Sequence, residues 1–222
     1  MKCAAVALHH EVLNVWAQYR RERSCAPEVL SLDFHTDVLC ALRRGIPEVS
    51  PEVWQDSAAV ARAVELLHHD EHFDWALRGG IIAAARIIAL SPCAVAPEHP
   101  DLNVIRPPGL PDMEVMLNDP EHFRPLAQTV LSDGFLSRCL DSWRPEPGFI
   151  LDIDCDFFMV KQALFPEKSA VFDDLLANAG LVTLSIEEDW VKILRLPGEY
   201  FTGAEAAEIL EQRLNEITAA HC

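Results

Sequence analysis

The sequence predicts a three-layer α/β fold, with helices on both faces of a mostly parallel sheet. Three observations lead there. Short apolar, β-compatible runs alternate with segments of helical spacing, as βα units require. Several of those runs stop at acidic or imidazole side chains, the pattern of strands whose carboxyl ends carry a ligand site. The 222 residues are 50% hydrophobic and 24% charged, enough for one sizeable core, and no linker divides them. A single domain over 1–222 is therefore expected.

Taken in order, the first strand is expected to end at Val6–Leu8, just ahead of His9 and His10. Glu11–Arg23 follows as a helix. Leu13, Trp16, Ala17 and Tyr19 supply its apolar positions, and Arg20, Arg21 and Arg23 sit in the last turn, where cations suit the helix dipole. Pro27 breaks it, and Val29–Phe34 reads as a buried strand. Ser50–Pro51 offers a cap and an N1 proline for a helix over Ser50–Leu67, with Val60, Ala61, Val64 and Leu67 on one face. Arg86–Ser91 is a strand, Pro92–Pro111 a proline-rich loop, Asp112–Leu117 a short strand and Glu121–Cys139 a helix. Pro145, Pro147 and Gly148 break the chain before Phe149–Asp154, the central strand. Ser169–Ala179 is a helix closed by Gly180, and Leu181–Ser185 is a further buried strand. Thr202-Gly-Ala-Glu205 is a capping box that opens a helix to about Ala219.

Composition excludes some functions. No run approaches the ~18 apolar residues of a membrane span. The apolar start of the chain is interrupted by His9, His10 and Glu11, so no signal peptide is expected. The net charge of −17, from 35 acids against 18 bases, disfavours nucleic acid, whose phosphates need a basic surface. It is compatible with a cationic substrate and a divalent metal. Seven cysteines (Cys3, Cys25, Cys40, Cys93, Cys139, Cys155, Cys222) lack any CxxC pair, which argues against a disulfide framework or a thiolate zinc site. They are expected to be mostly reduced and at least partly buried, in a cytoplasmic protein. The sequence leaves room for a homo-oligomer.

The chemistry concentrates in two stretches. In LSLDFHTDVL, Asp33, His35 and Asp37 fall on alternate positions after an apolar run, and on a strand they would share one face. FILDIDCDFF repeats the arrangement with Asp152, Asp154 and Asp156. The next strand runs into Glu187 and Glu188, and the first into His9. Unpaired charges at a core edge would each cost several kcal/mol, and a bound cation removes that cost. A carboxylate-rich set with one or two imidazoles and no thiolate suits hard or borderline ions such as Mn²⁺. Two ions sharing carboxylates, roughly 3.5–4 Å apart, would generate a nucleophile at neutral pH. His68, His69 and His72 are expected on the solvated end of a helix, and Trp75 and Trp190 as packing.

HHEVL, DFHTD and DIDCDFF together resemble the ureohydrolase (arginase) superfamily, whose pattern is a first His, then D-x-H-x-D, then D-x-D. The HxEVL, SxDFHTD and ILDIDxDFF blocks more closely resemble the uncharacterised protein family UPF0489, some bacterial members of which are peptide arginases. The resemblance spans His9 to about Glu188 and implies an arginase/deacetylase-like fold with two Mn²⁺ ions. Matched by position, it implies that His9 and Asp37 hold one ion with Asp33 bridging. His35 and Asp154 would hold the other with Asp152 bridging. Glu187 would receive the guanidinium, with Glu188 beside it. The spacing to Glu11-Val12-Leu13 favours His9 over His10. The family's D-x-D-x-x-D is here D-x-D-x-D, which leaves Asp156 open between a ligand, a carboxylate assisting catalysis and a structural residue. The implied reaction converts arginine residues of a precursor peptide into ornithine and urea. The two ions would supply an activated water for attack on the guanidinium carbon; the C–N bond to the ornithine amine would then break, with a carboxylate carrying the proton to it. The alternatives are a ureohydrolase of small guanidino compounds, a related amide hydrolase, or a peptide-binding scaffold without catalysis.

Overall fold

The computed structural model describes residues 2–41, 49–93 and 95–220. Cys222 therefore lies outside the described residues. The strands are β1 (Lys2–Val6), β2 (Glu28–Asp33), β3 (Ala84–Ala89), β4 (Leu102–Ile105), β5 (Ile150–Asp154) and β6 (Leu181–Ser185). They form one sheet in the order β1-β6-β5-β2-β3-β4, and every neighbouring pair is parallel. All strands therefore point their carboxyl ends to the same edge.

The helices are α1 (Val12–Arg21), α2 (Ser57–Leu66), α3 (His72–Arg78), α4 (Met113–Asn118), α5 (Arg124–Ala127), α6 (Asp133–Leu140), α7 (Ala170–Asn178), α8 (Glu188–Leu194) and α9 (Gly203–Ala220). Alternation along the strands divides the core into two. Val29, Ala85, Ile87, Ile150 and Leu181 pack with Trp16 of α1, Val60 of α2 and Phe73 of α3. Leu30, Leu32, Ile88, Leu151, Ile153 and Leu184 pack with Phe135 of α6, Phe172 of α7 and Leu210 of α9. That is the predicted three-layer α/β arrangement. Each buried Leu, Ile or Phe contributes about 1.5–3 kcal/mol by leaving water. No helix among the described residues is long and apolar enough to cross a membrane.

Several elements differ from expectation. Asp112–Leu117 is not a strand: the Asp112 carboxylate accepts from the Val115 amide at 2.9 Å and starts α4. The helix expected from Ser50 begins at Ser57, because the Asp56 carboxylate accepts from both Ala58 and Ala59 amides. Its buried face is Val60, Ala63 and Leu67, and Ala61 is exposed. The single helix over Glu121–Cys139 is broken, since the Ser132 hydroxyl caps a new helix at the Phe135 amide. β4 lies inside the expected loop; it is a four-residue edge strand flanked by prolines and, among the described residues, paired only with β3. β1 starts and stops earlier than expected, at Lys2–Val6. Of the cysteines described, Cys40, Cys139 and Cys155 are buried, whereas Cys3, Cys25 and Cys93 are exposed, and all are free.

Candidate metal centre

Four adjacent strands, β1, β6, β5 and β2, end at one place and deliver the predicted site residues there. The geometry starts one pleat below the edge. Ser31, Asp152 and Thr183 are register partners across β2, β5 and β6. All three are fully buried on the α1–α3 side of the sheet. The Asp152 carboxylate accepts from the Thr183 hydroxyl at 2.6 Å and the Ser31 hydroxyl at 2.9 Å, and meets His9 Nε2 at 2.8 Å. Thr183 in turn accepts from the Trp16 indole N–H at 3.2 Å. Asp152 thus forms a closed polar layer inside the core.

One pleat nearer the edge, two residues or roughly 6.6 Å along the strands, lie Asp33 and Asp154. His9 spans both layers. Its Nδ1 lies 3.0 Å from Asp37 Oδ2, 3.1 Å from Asp154 Oδ2 and 3.5 Å from Asp33 Oδ2. His35 Nδ1 lies 2.9 Å from Asp156 Oδ2 and 3.9 Å from Asp33 Oδ1. Among the described residues, three groups place ligand-type atoms within 4.8 Å of one another: His9, Asp33 and Asp154; Asp33, His35 and Asp156; His9, Asp37 and His72. Asp33 and His9 are each shared by two groups. Asp152, expected as a bridging carboxylate, joins none.

Local structure explains the convergence, and it is not the shared strand face first expected. β2 ends at Asp33. The Asp33 carboxylate accepts from the His35 amide at 2.7 Å and turns the chain out of the strand. Asp37 then adopts a left-handed conformation, φ 45°. β5 ends the same way, with Asp154 accepting from the Asp156 amide at 3.1 Å. Asp156 also accepts from the Phe34 amide at 3.2 Å and so ties the two turns together. The motif acid Glu11 accepts from the Ala7 and Leu8 amides, both at 2.9 Å, and fixes the turn that presents His9. His9 is buried in the cluster, while His10 is only half-buried.

Glu187 and Glu188 separate cleanly. Glu187 Oε1 accepts from the His9 amide at 2.6 Å, in a buried position. Its backbone is left-handed, φ 40°, a conformation that costs a non-glycine residue about 1–3 kcal/mol and concentrates at functional positions. Glu188 instead accepts from the Gly203 amide at 2.9 Å, at the start of α9. Trp190, in the first turn of α8, sets its ring 4.8 Å from His35 and 6.0 Å from His69.

The electrostatics call for a cation. Asp33, Asp37, Asp152, Asp154, Asp156 and Glu187 are all buried, and their ion-pair partners among the described residues are histidines alone. Burial, then the charges of Asp37 and Asp156, push the Asp33 carboxyl well up. Burial and Asp156 push Asp154 up to about 8. Burial works against the His9 imidazolium, but Asp152 and Asp154 outweigh it and raise that group. Burial and then the His9 charge hold His72 down, to about 3. His9 Nδ1, Asp33 Oδ2, Asp156 Oδ2 and His72 Nε2 are buried without a hydrogen-bond partner. Orphaned donor atoms of these types, among mutually repelling carboxylates, fit divalent cations.

A pH prediction follows for the metal-free chain. Above about pH 7.5 the unfolded chain has lost its carboxyl and nearly all its histidine protons, whereas raised Asp33, Asp154 and His9 keep the folded state partly protonated. The folded state therefore binds more protons, and stability falls as pH rises. In chelator, the melting temperature should drop from about pH 7.5 to about 9; a flat or rising curve there would contradict this electrostatic picture.

The residue that sequence reasoning placed wrongly is His72. It is fully buried against His9 rather than solvated. The layer of Ser31, Asp152 and Thr183 carried one legible signal, polar residues on alternate positions of otherwise apolar strands.

No protein-family model matches the chain, and no curated protein matches it. Among solved structures, it is similar to a hypothetical agmatinase from Burkholderia thailandensis, with 14% identity and a TM-score of 0.49 over 99% of this chain and 59% of that one. It is also similar to proclavaminate amidino hydrolase from Streptomyces clavuligerus, with 14% identity and a TM-score of 0.46 over 98% of this chain and 64% of that one. The chain thus spans less than two thirds of the length of either. At such identities and scores, the chemistry of this chain has to be read from its own side chains.

Proposed function

We propose that the chain is a metal-dependent hydrolase that cleaves the guanidino group of arginine residues in a precursor peptide, giving ornithine and urea. The observation that carries the reading is the meeting of buried, uncompensated carboxylates and imidazoles from four neighbouring strand ends, with Glu187 beside them. The resemblance of the HxEVL, DFHTD and ILDIDxDFF blocks to peptide arginases supports the substrate class.

The residues divide the work as follows. His9, Asp37 and Asp154 would hold one ion, His35 and Asp156 the other, with Asp33 common to both. This differs from the assignment by motif position, since Asp156 takes the place given to Asp154. Asp152 holds His9 from behind through Nε2, as carboxylates behind metal-bound histidines do. Two bound Mn²⁺ ions would supply Lewis acidity and a water activated at neutral pH. Glu187 binds and orients the planar guanidinium by charge-assisted hydrogen bonds. Burial pushes its carboxyl up, so it can also hold a proton for the departing amine. The net charge of −17 favours approach of a cationic peptide.

Incubation with Mn²⁺ and an arginine-containing peptide should lower the peptide mass by about 42 Da per arginine, the change for guanidine-to-amine hydrolysis. Reaction with free arginine alone would move the substrate class to small guanidino compounds. Tight peptide binding without mass change would make the chain a scaffold.

The role of Asp152 has its own test. Asp152→Asn should weaken one ion by about 10–100-fold, the usual cost of losing a group behind a metal ligand, while both ions still bind at millimolar Mn²⁺. Loss of both ions in calorimetric titration would restore Asp152 as the bridging ligand.

A further inference from the structure

His72, in the first turn of α3, is a buried ionisable side chain that the proposed reaction leaves unused. Its ring centroid lies 4.4 Å from that of His9, with Phe73 at 4.3 Å and Trp16 at 5.7 Å. Nδ1 stands 2.6 Å from the His69 carbonyl oxygen. A carbonyl only accepts, so the ring proton is on Nδ1 and the lone pair is on Nε2. Asp37 Oδ2, at 3.9 Å from Nδ1, is too far to compete for that proton. Nε2 is buried and has no hydrogen-bond partner. Protein interiors rarely leave an acceptor bare unless something else occupies it. An imidazole whose other nitrogen donates to a backbone carbonyl is how proteins commonly present a histidine to a metal. Ligand-type atoms of His72, His9 and Asp37 lie within 4.8 Å of one another.

We propose that His72 is a third histidine of the metal centre, supplying Nε2 to the ion held by His9 and Asp37. This rests on reading the site as a metal centre. The two positions then differ in kind: the first has two imidazoles, the second only His35. Nitrogen-richer ligation favours later divalent ions over Mn²⁺, so Co²⁺ or Zn²⁺ should enter the His9 position first.

Counting nitrogens tests this without activity. One equivalent of Cu²⁺ is bound to the full chain carrying His35→Ala, which directs the ion to the His9 position. Electron spin-echo modulation then counts the imidazoles on the ion. Two are expected, falling to one when His72→Phe is added, with affinity at least tenfold lower. A count of one before and after would overturn the proposal, because a histidine that merely packs against His9 changes affinity but not the count. If His72→Phe does not fold, the count in the parent still decides. Absence of bound copper, or copper without any imidazole, would instead remove the metal-centre reading and this inference with it.

Discussion

Asp154→Asn should strip the protein of metal and of urea release while making the metal-free chain more stable at pH 8. The two effects have one origin. Asp154 is buried, and burial, then the charge of Asp156, raises its carboxyl to about 8. Near that pH the empty site pays for a carboxylate that the unfolded chain ionises freely. Asparagine keeps the shape and can still accept from the Asp156 amide through its carbonyl oxygen, so the turn survives. The charge that a divalent ion requires is gone, and affinity should fall by more than about 100-fold, beyond the cost of losing an outer residue. Metal analysis, a urea assay and melting in chelator check the three arms. Urea released at the parental rate by metal-free Asp154→Asn protein would end the hydrolytic reading.

Glu187→Gln should leave both ions in place and lower kcat/KM for an arginine peptide by about 100-fold. Removing one partner of a buried, hydrogen-bonded charge pair costs about 3 kcal/mol, which corresponds to about 100-fold in rate. Glutamine retains an oxygen for the His9 amide, so the left-handed turn at this residue and the placement of His9 persist. Peptide kinetics with parallel manganese analysis separate the roles. Loss of metal would move Glu187 among the ligands, and an unchanged rate would take it out of substrate binding. Glu188→Gln, which alters the start of α9 instead, should change stability more than rate.

The legible part of this chain was the part ruled by periodicity. Apolar runs gave β2, β3, β5 and β6, and polar residues at their ends gave the acids and His9. Periodicity could not say where a strand stops. Asp33, His35 and Asp37 were grouped for a strand that ends at the first of them, and a side-chain-capped turn brings the other two back. The same limit hides the depth of Asp152. It shares a strand face with Asp154 but sits one pleat deeper, where Ser31 and Thr183 use its oxygens. His72 was out of reach for a different reason. In LLHHDEHF nothing local marks which imidazole turns inward, and only packing of α3 against Trp16 and His9 decides it. β4 and α4 were decided by edge position and a single capping carboxylate, both too local for a pattern to show.

β1 leads into His9 from the rim of the sheet, and among the described residues β6 is its only strand partner. Outer strands detach more readily than inner ones, so transient release of β1 would withdraw the His9 imidazole from the proposed metal centre. Occupancy by metal and protection of the β1 amides would then be two views of one equilibrium. Deuterium uptake at Cys3–Val6 should slow on adding manganese, whereas uptake in β3, which holds no ligand, should not respond.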